Sequence, residues 1–433
     1  MIVWLLIAGV TFYAWEISNF QVLMSVHEGG PWVVRNALEL GLPVAVALLA
    51  LVAFEQQTRK ASPLGALTRG YLWLGGFALL LALVWGAVIQ ARYIAHGVVF
   101  ALIMDMVLQQ RERLVRFLWG NAIVGVTCAA LNTMPVLHFA GLVALPSTYI
   151  ERTGAGWAAS ANGLLSFGVF GRSEWYKYPV AGIWWNRLDG WSFEPIHWAY
   201  FVLWTAVCVL LLLAQPAAKV VKIGLLSALA LLLFHLVFVY SAAALIVVAV
   251  ASAAALWHLV ASRVSRTLSR AVIYLTLVVG SGLVGPMMLA ATPAFTQLIT
   301  DEKVIAKGDN WESKVAFVRL GPEVIMTRVV PDPLMAEGAG HNLVLSTYLA
   351  FGIFGVLPLL GFEWRLLRVV LQSPVRSVQV AGLLSLVAIN HQVPWMVYYP
   401  LGAIWVVTLG HAARLSAVPQ IPVPIELTLA KTA

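Results

Sequence analysis

Charge is scarce in this chain. Asp, Glu, Lys and Arg make up 11% of its 433 residues against 61% for the apolar types, so little of it is suited to a soluble surface. Cysteine is scarcer still. Cys128 and Cys208 are the only two, and both lie inside apolar runs, which excludes a disulfide framework and a cysteine-based metal site and leaves the redox compartment unread. His235, His258 and His411 stand singly on or near apolar helices, without partners at metal-ligand spacing, and read as packed or interfacial. No repeat period is visible, and no low-complexity tract beyond a proline-containing tail at 419–424. A basic leader and a small-residue cleavage site are missing as well. Met1-Ile2-Val3-Trp4 turns apolar at once, so a retained first span is expected rather than a signal peptide.

What is present is one apolar run of span length after another, the pattern of an all-α polytopic membrane protein. Taken in order, the runs predict twelve helices at about 2–23, 33–54, 71–90, 93–110, 118–144, 196–214, 223–240, 241–260, 271–292, 342–362, 378–393 and 396–414. The formal charge of +8 does not point to nucleic acid, because the basic residues sit in short clusters between runs and form no soluble face. Arg59, Lys60 and Arg69, then Arg111, Arg113 and Arg116, then Lys219 and Lys222 each follow an even-numbered span. So do Arg263, Arg266 and Arg270, then Arg365, Arg368 and Arg376, and finally the tail residues Arg414 and Lys431. By the positive-inside rule both termini are cytoplasmic.

Two loops, 145–195 and 293–341, then fall on the outer side, and both exceed ordinary connection lengths, which makes them the place to seek function. The first holds Trp157, Trp175, Tyr176, Tyr178, Trp184, Trp185 and Trp191. These aromatics suit an interfacial belt or a sugar- or lipid-facing surface, and 156–170 is expected to form a short interfacial helix. The second carries Asp301-Glu302-Lys303, Asp309-Asn310-Trp311 and Pro331-Asp332-Pro333, a solvated segment expected to be partly helical around 310–319. Residues 1–414 read as a single integral-membrane domain, and 415–433 as a disordered cytoplasmic tail.

The two loops end on the residues best suited to chemistry. Gly338-Ala339-Gly340-His341-Asn342-Leu343 sets an imidazole where a polar loop meets an apolar helix. The positive end of a helix dipole disfavours an imidazolium there and leaves a neutral ring able to accept a proton; the alternative is a histidine that merely caps the helix. Arg187-Leu188-Asp189-Gly190-Trp191-Ser192-Phe193-Glu194-Pro195 reads as a glycine turn and a Glu-Pro pair fixing an arginine just outside the sixth span. Alone, that arginine is a headgroup anchor. Set across from His341, it supplies a guanidinium for an anionic phosphate beside a base for a sugar hydroxyl.

The pattern Arg187-x-x-Gly190-x-x-Phe193-Glu194-Pro195-x-x-x-Ala199, followed by Gly340-His341-Asn342-x-x-Leu345 and Gly352-x-x-Gly355, resembles the O-antigen ligase and O-antigen polymerase superfamily over about 187–361. The resemblance implies a glycosyltransferase of the bacterial inner membrane with its active site facing the periplasm. It would need no metal or other cofactor and would draw on an undecaprenyl-pyrophosphate-linked glycan donor. Arg187 would engage the pyrophosphate and His341 would serve as general base, giving inversion at the anomeric carbon. Substrate contacts are expected from Trp191, Glu194, Asn342, Arg319 and Arg328, with Lys307 or Lys314 behind them. Two departures matter: Ser241-Ala242 stands where many members have Ser-Arg, and Asp309-Asn310 precede Trp311 where an arginine is usual. The acceptor is another lipid-linked repeat unit for a polymerase, with a chain-length regulator as a possible partner, and lipid A core for a ligase; the polymerase is favoured. A secondary transporter or lipid-linked glycan flippase is the reading from another class, disfavoured because mid-span ionisable residues are few and no repeated halves are seen. Elsewhere, Asp105 is expected to pair with Arg111 and Arg113, and Asn390-His391-Gln392 to end the eleventh span or line the cavity.

Overall fold

The computed structural model describes residues 2–8, 52, 64–84, 86, 88–139, 142, 144, 171–180, 183–190, 195–239, 242–261, 265–277, 343–390 and 400–417. Residues 2–8 are helical. The main elements that follow are α1 (Ala66–Val84), α2 (Val88–Leu108), α3 (Arg111–Phe139), strands β1 (Gly171–Val180) and β2 (Ile183–Gly190), α4 (Pro195–Leu213), α5 (Lys219–Val239), α6 (Ala242–Val260), α7 (Arg266–Leu275), α8 (Leu343–Leu371), α9 (Arg376–Asn390) and α10 (Pro400–Ala417). Among the described residues, three segments are long and apolar enough to cross a membrane: Ala66–Val84, Arg111–Thr133 and Lys219–Leu236. Most of the expected spans 2–23 and 33–54, the loop 293–341 and the tail from 418 onward lie outside the described residues.

The centre of the bundle follows from residue type. α4 is apolar on every side, and Trp198–Leu212 is buried throughout, as such a helix must be in a large core. It packs against α3, α5, α6 and α9, while α10 lies against α1, α2 and α9. Where α4 meets α10, Trp204 and Trp405 stand edge to face at 5.5 Å. Each indole N–H has a partner: Trp204 donates to Asn121 Oδ1 at 3.2 Å and Trp405 to Ser385 Oγ at 2.7 Å. The large aromatic area is thereby buried without an unsatisfied donor. α5, by contrast, buries only one stripe, including Leu225, Leu232, His235 and Leu236, and turns its remaining apolar surface outward.

The helices extend past the apolar runs that announced them. α1 starts at Ala66 rather than 71, α3 at Arg111 rather than 118, and α8 continues to Leu371 rather than 362. Arg69, Arg111, Arg113, Arg116, Arg365 and Arg368 are therefore helical, not loop residues. An apolar run measures the hydrocarbon-facing part of a helix, whereas the hydrogen-bonded backbone continues beyond it. Residues 415–417, expected in a disordered tail, close α10. Two glycines are required by the backbone. Gly86 (φ 68°) lies in the tight connection from α1 to α2, and Gly352 (φ 65°, ψ −165°) kinks α8, both in the left-handed region that other residues avoid.

Asp105 corrects another expectation. Its fully buried carboxylate turns away from Arg111 and accepts from Gly65 N at 3.2 Å, Thr68 Oγ1, Gln109 Nε2 at 3.2 Å and His411 Nε2 at 3.1 Å. Arg111 donates instead to Gln215 Oε1 at 3.2 Å. These bonds gather the start of α1, the ends of α2 and α10, the start of α3 and the end of α4 at one end of the bundle, where most of the described Lys and Arg residues also lie.

Close helix approach depends on two further glycines. A methyl group on Gly125 would collide with Thr205, and one on Gly382 with Val370, in each case with the Cβ atom as well as the branches, so a rotamer change gives no relief. Around Gly224 the space is open. Gly125→Ala and Gly382→Ala are each expected to cost about 1–3 kcal/mol of stability, whereas Gly224→Ala raises it by up to about 1 kcal/mol. Thermal unfolding of the purified chain in detergent separates the two signs.

Candidate functional site

The expected site begins on a β-hairpin, not in a loop. β1 and β2 pair antiparallel in the register Gly171↔Gly190, Arg172↔Leu188, Ser173↔Arg187, Lys177↔Asn186, Tyr178↔Trp185, Pro179↔Trp184 and Val180↔Ile183, with irregularities between Gly171 and Arg172 and between Ser173 and Lys177. The segments Glu174-Trp175-Tyr176-Lys177-Tyr178 and Ile183-Trp184-Trp185 are rich in the aromatic and β-branched types that favour strands. Pro179 is tolerated because both strands of a two-stranded sheet are edges. This hairpin interrupts the expected all-helical fold, and it replaces the expected glycine turn, since Arg187 to Gly190 are strand residues.

A two-stranded ribbon is marginal alone, and here β2 rests on α3, α4 and α5. A buried polar chain joins the same three helices. Trp198 Nε1 of α4 donates to His235 Nε2 of α5 at 2.7 Å, and His235 Nδ1 lies 3.1 Å from Thr133 Oγ1 of α3. Thr133 in turn donates to Ala129 O at 2.7 Å. Because Nε2 accepts from the indole and the threonine proton is committed to the carbonyl, the imidazole proton must sit on Nδ1 and point at Thr133. Both ring nitrogens of a fully buried histidine are thus satisfied. His235 is packed, as expected, but its role as the tie between three helices is not legible from its solitary position in an apolar run. Trp198, one helical turn into the span, was the available signal.

The ends of the bundle can be assigned from contacts alone. α3 begins and α4 finishes at the end marked by Asp105, so the finish of α3, the start of α4 and β2 belong to the opposite end. α8 reaches the Asp105 end with Val369, Gln372 and Ser373, which share a cavity with Gly65 and His411, so its first residue, Leu343, belongs to the opposite end too. The strand carrying Arg187 and the helix that starts directly after His341-Asn342 therefore share one end of the protein. His341, Asn342, Trp191, Glu194, Arg319 and Arg328 themselves lie outside the described residues, as do Lys307, Lys314 and the 156–170 segment. Gly352 of the Gly352-x-x-Gly355 pair is the kink in α8, three turns in from that end, and a Cβ on Gly355 would strike Phe351.

Two other buried polar groups were not anticipated as such. Glu363, fully buried on α8, accepts from Tyr274 Oη at 3.0 Å, where the apolar runs implied a connection. Asn390 closes α9 buried and donates to Leu386 O at 3.0 Å. Among the described residues no three His, Cys, Asp or Glu side chains converge as metal ligands would. Comparison with models of known protein families, with curated proteins and with solved structures finds no match.

Removing one end of the buried chain leaves the imidazole short of a partner. Trp198→Phe and Thr133→Val are each expected to destabilise the protein by about 1–2 kcal/mol, in the range of an interhelical hydrogen bond lost from an apolar interior. The double variant with His235→Leu is expected to cost less than the sum, because the group left unsatisfied is gone. Unfolding midpoints for the single and double variants read this directly.

Proposed function

We propose that the chain is a twelve-span protein of the bacterial inner membrane that transfers a glycan from undecaprenyl pyrophosphate to a sugar hydroxyl on the periplasmic side, as a surface-polysaccharide polymerase. Both termini are cytoplasmic in this reading, and the loops 145–195 and 293–341 form the outer face. The observation that carries it is the shared end of the bundle: β2 with Arg187, and the start of α8 next to His341, lie opposite the end that gathers the Lys and Arg residues. Distribution of the basic residues by the positive-inside rule makes the latter end cytoplasmic, and the former then opens on the side where lipid-linked glycans are polymerised.

The chemistry asks little of the protein beyond charge and a base. Pyrophosphate is a good leaving group, so no strong acid is required; the guanidinium of Arg187 offsets the charge that grows on the departing diphosphate. The neutral imidazole of His341 takes the proton of the acceptor hydroxyl as its oxygen attacks the anomeric carbon. One displacement inverts that carbon. Glu194, Trp191 and Asn342 would orient the sugars, and Arg319 or Arg328 would add the second cation that Ser241-Ala242 and Asp309-Asn310 do not provide.

His341→Ala is expected to lower the turnover of purified protein by about 10²–10⁴-fold, and Arg187→Ala by about 10²–10³-fold, with unfolding midpoints unchanged. The readout is chain growth on undecaprenyl pyrophosphate in reconstituted vesicles. Transfer undiminished in His341→Ala would refute the base. Growth that requires lipid A core as acceptor would make the enzyme a ligase.

A further inference from the structure

Opposite the proposed active site, the bundle contains a cavity that transfer chemistry does not use. It lies between the start of α1 and the ends of α8 and α10, and its volume is about 250 Å³, several times the ~30 Å³ share of a water molecule. Thr68, Gln372, Ser373, His411 and Arg414 contribute its polar lining.

Arginines from three helices lie in or within a turn of it along the chain. Arg414 lines the cavity itself. Arg69 follows Gly65 by four residues, while Arg365 and Arg368 precede Val369 and Gln372 by four. Gly65, Val369 and Gln372 are all lining residues, and residues four apart share a helix face. All four arginines are exposed, and the stem of Arg365 runs along α1 at Gly70. Among the described residues none of the four is in an ion pair. The described carboxylates nearby do not neutralise them, because Asp105 is buried among its four donors and Glu363 is buried against Tyr274.

An unpaired guanidinium in a polar hollow, with three more exposed arginines within a turn of its lining residues, suits a phosphodiester at a membrane surface, where long arginine stems can lie along apolar helix faces while the charges reach the headgroup plane. We propose that this cavity binds the headgroup of an anionic phospholipid of the inner leaflet. The site rests on the membrane topology proposed above and not on the transfer chemistry.

The test uses the full-length protein in detergent, delipidated and then given phosphatidylglycerol, phosphatidylcholine or inorganic phosphate, with bound lipid counted by native mass spectrometry and stability followed by thermal unfolding. Phosphatidylglycerol is expected to be retained and to raise the unfolding midpoint, and the other two probes are not. Retention should weaken about fivefold for each arginine removed in Arg368→Gln and Arg414→Gln, and should be unchanged in Lys222→Gln, an exposed lysine outside the cavity. Equal retention of phosphatidylcholine, the same stabilisation by inorganic phosphate, or an equal loss in Lys222→Gln would each overturn the site. The outcome is independent of glycan transfer: an active His341→Ala protein that still selects phosphatidylglycerol removes the base and leaves the lipid site standing.

Discussion

The structure depends on one buried carboxylate. Asp105 sits one turn from the end of α2 and collects donors from the first turn of α1 and from α10, helices more than three hundred residues apart. In an apolar interior such a group is costly unless every lone pair is engaged. Once engaged, it fixes its partners, because withdrawing any one would leave a charge or a donor stranded. The same bonds that satisfy Asp105 therefore bring the start of α1, the finish of α10 and the connection from α2 to α3 to a common level. The opposite end inherits its arrangement from that alignment.

At the opposite end the logic is repeated with neutral groups. The indole of Trp198, the ring of His235 and the hydroxyl of Thr133 form a directed chain with no spare donor on the imidazole, and so hold α3, α4 and α5 at one spacing. β2 lies across those three helices. A hairpin that could not persist alone is given a rigid floor, and the backbone position of Arg187 is fixed by its register against Ser173. In the proposed function this matters more than the identity of the residue. A cation held at a set height above the bundle can stabilise a developing charge without reorganising, whereas one on a loose loop must first be ordered.

Which of these features could be read from the sequence follows from the range of the interactions. Apolar runs are local, and they marked helices at every described span with boundaries a few residues off, because polar first and last turns carry no hydropathy signal. The polar groups at issue are not local. Asp105 was assigned to Arg111 and Arg113 because those are its near neighbours along the chain, yet its imidazole partner is His411. Glu363 passed unnoticed because it follows the apolar stretch of α8, although the helix runs on and buries it. The hairpin was hidden for another reason: its tryptophans and tyrosines suit a membrane interface as well as a strand, and only pairing between 171–180 and 183–190 distinguishes the two. The Gly352-x-x-Gly355 pair is visible in the sequence only as a pattern, and the positive φ at Gly352 supplies the physical reason for the first glycine.

The two proposals give arginine different roles at the two ends of the molecule, and placement accounts for the difference. Near the cavity between α1, α8 and α10, the arginines are exposed, and for a lipid site a long flexible stem is an advantage: the charge can follow a mobile headgroup while the methylenes cover apolar surface. Such sites tolerate variation in the exact position of the ligand and gain affinity by number. Arg187 is alone in its strand, on a ribbon pinned to three helices, and a single cation can contribute to a reaction only if its position is already correct when the charge appears. The sequence clusters carry the first kind in short runs at every second connection. The second kind is Arg187, the one basic residue of β2, in a segment rich in aromatics.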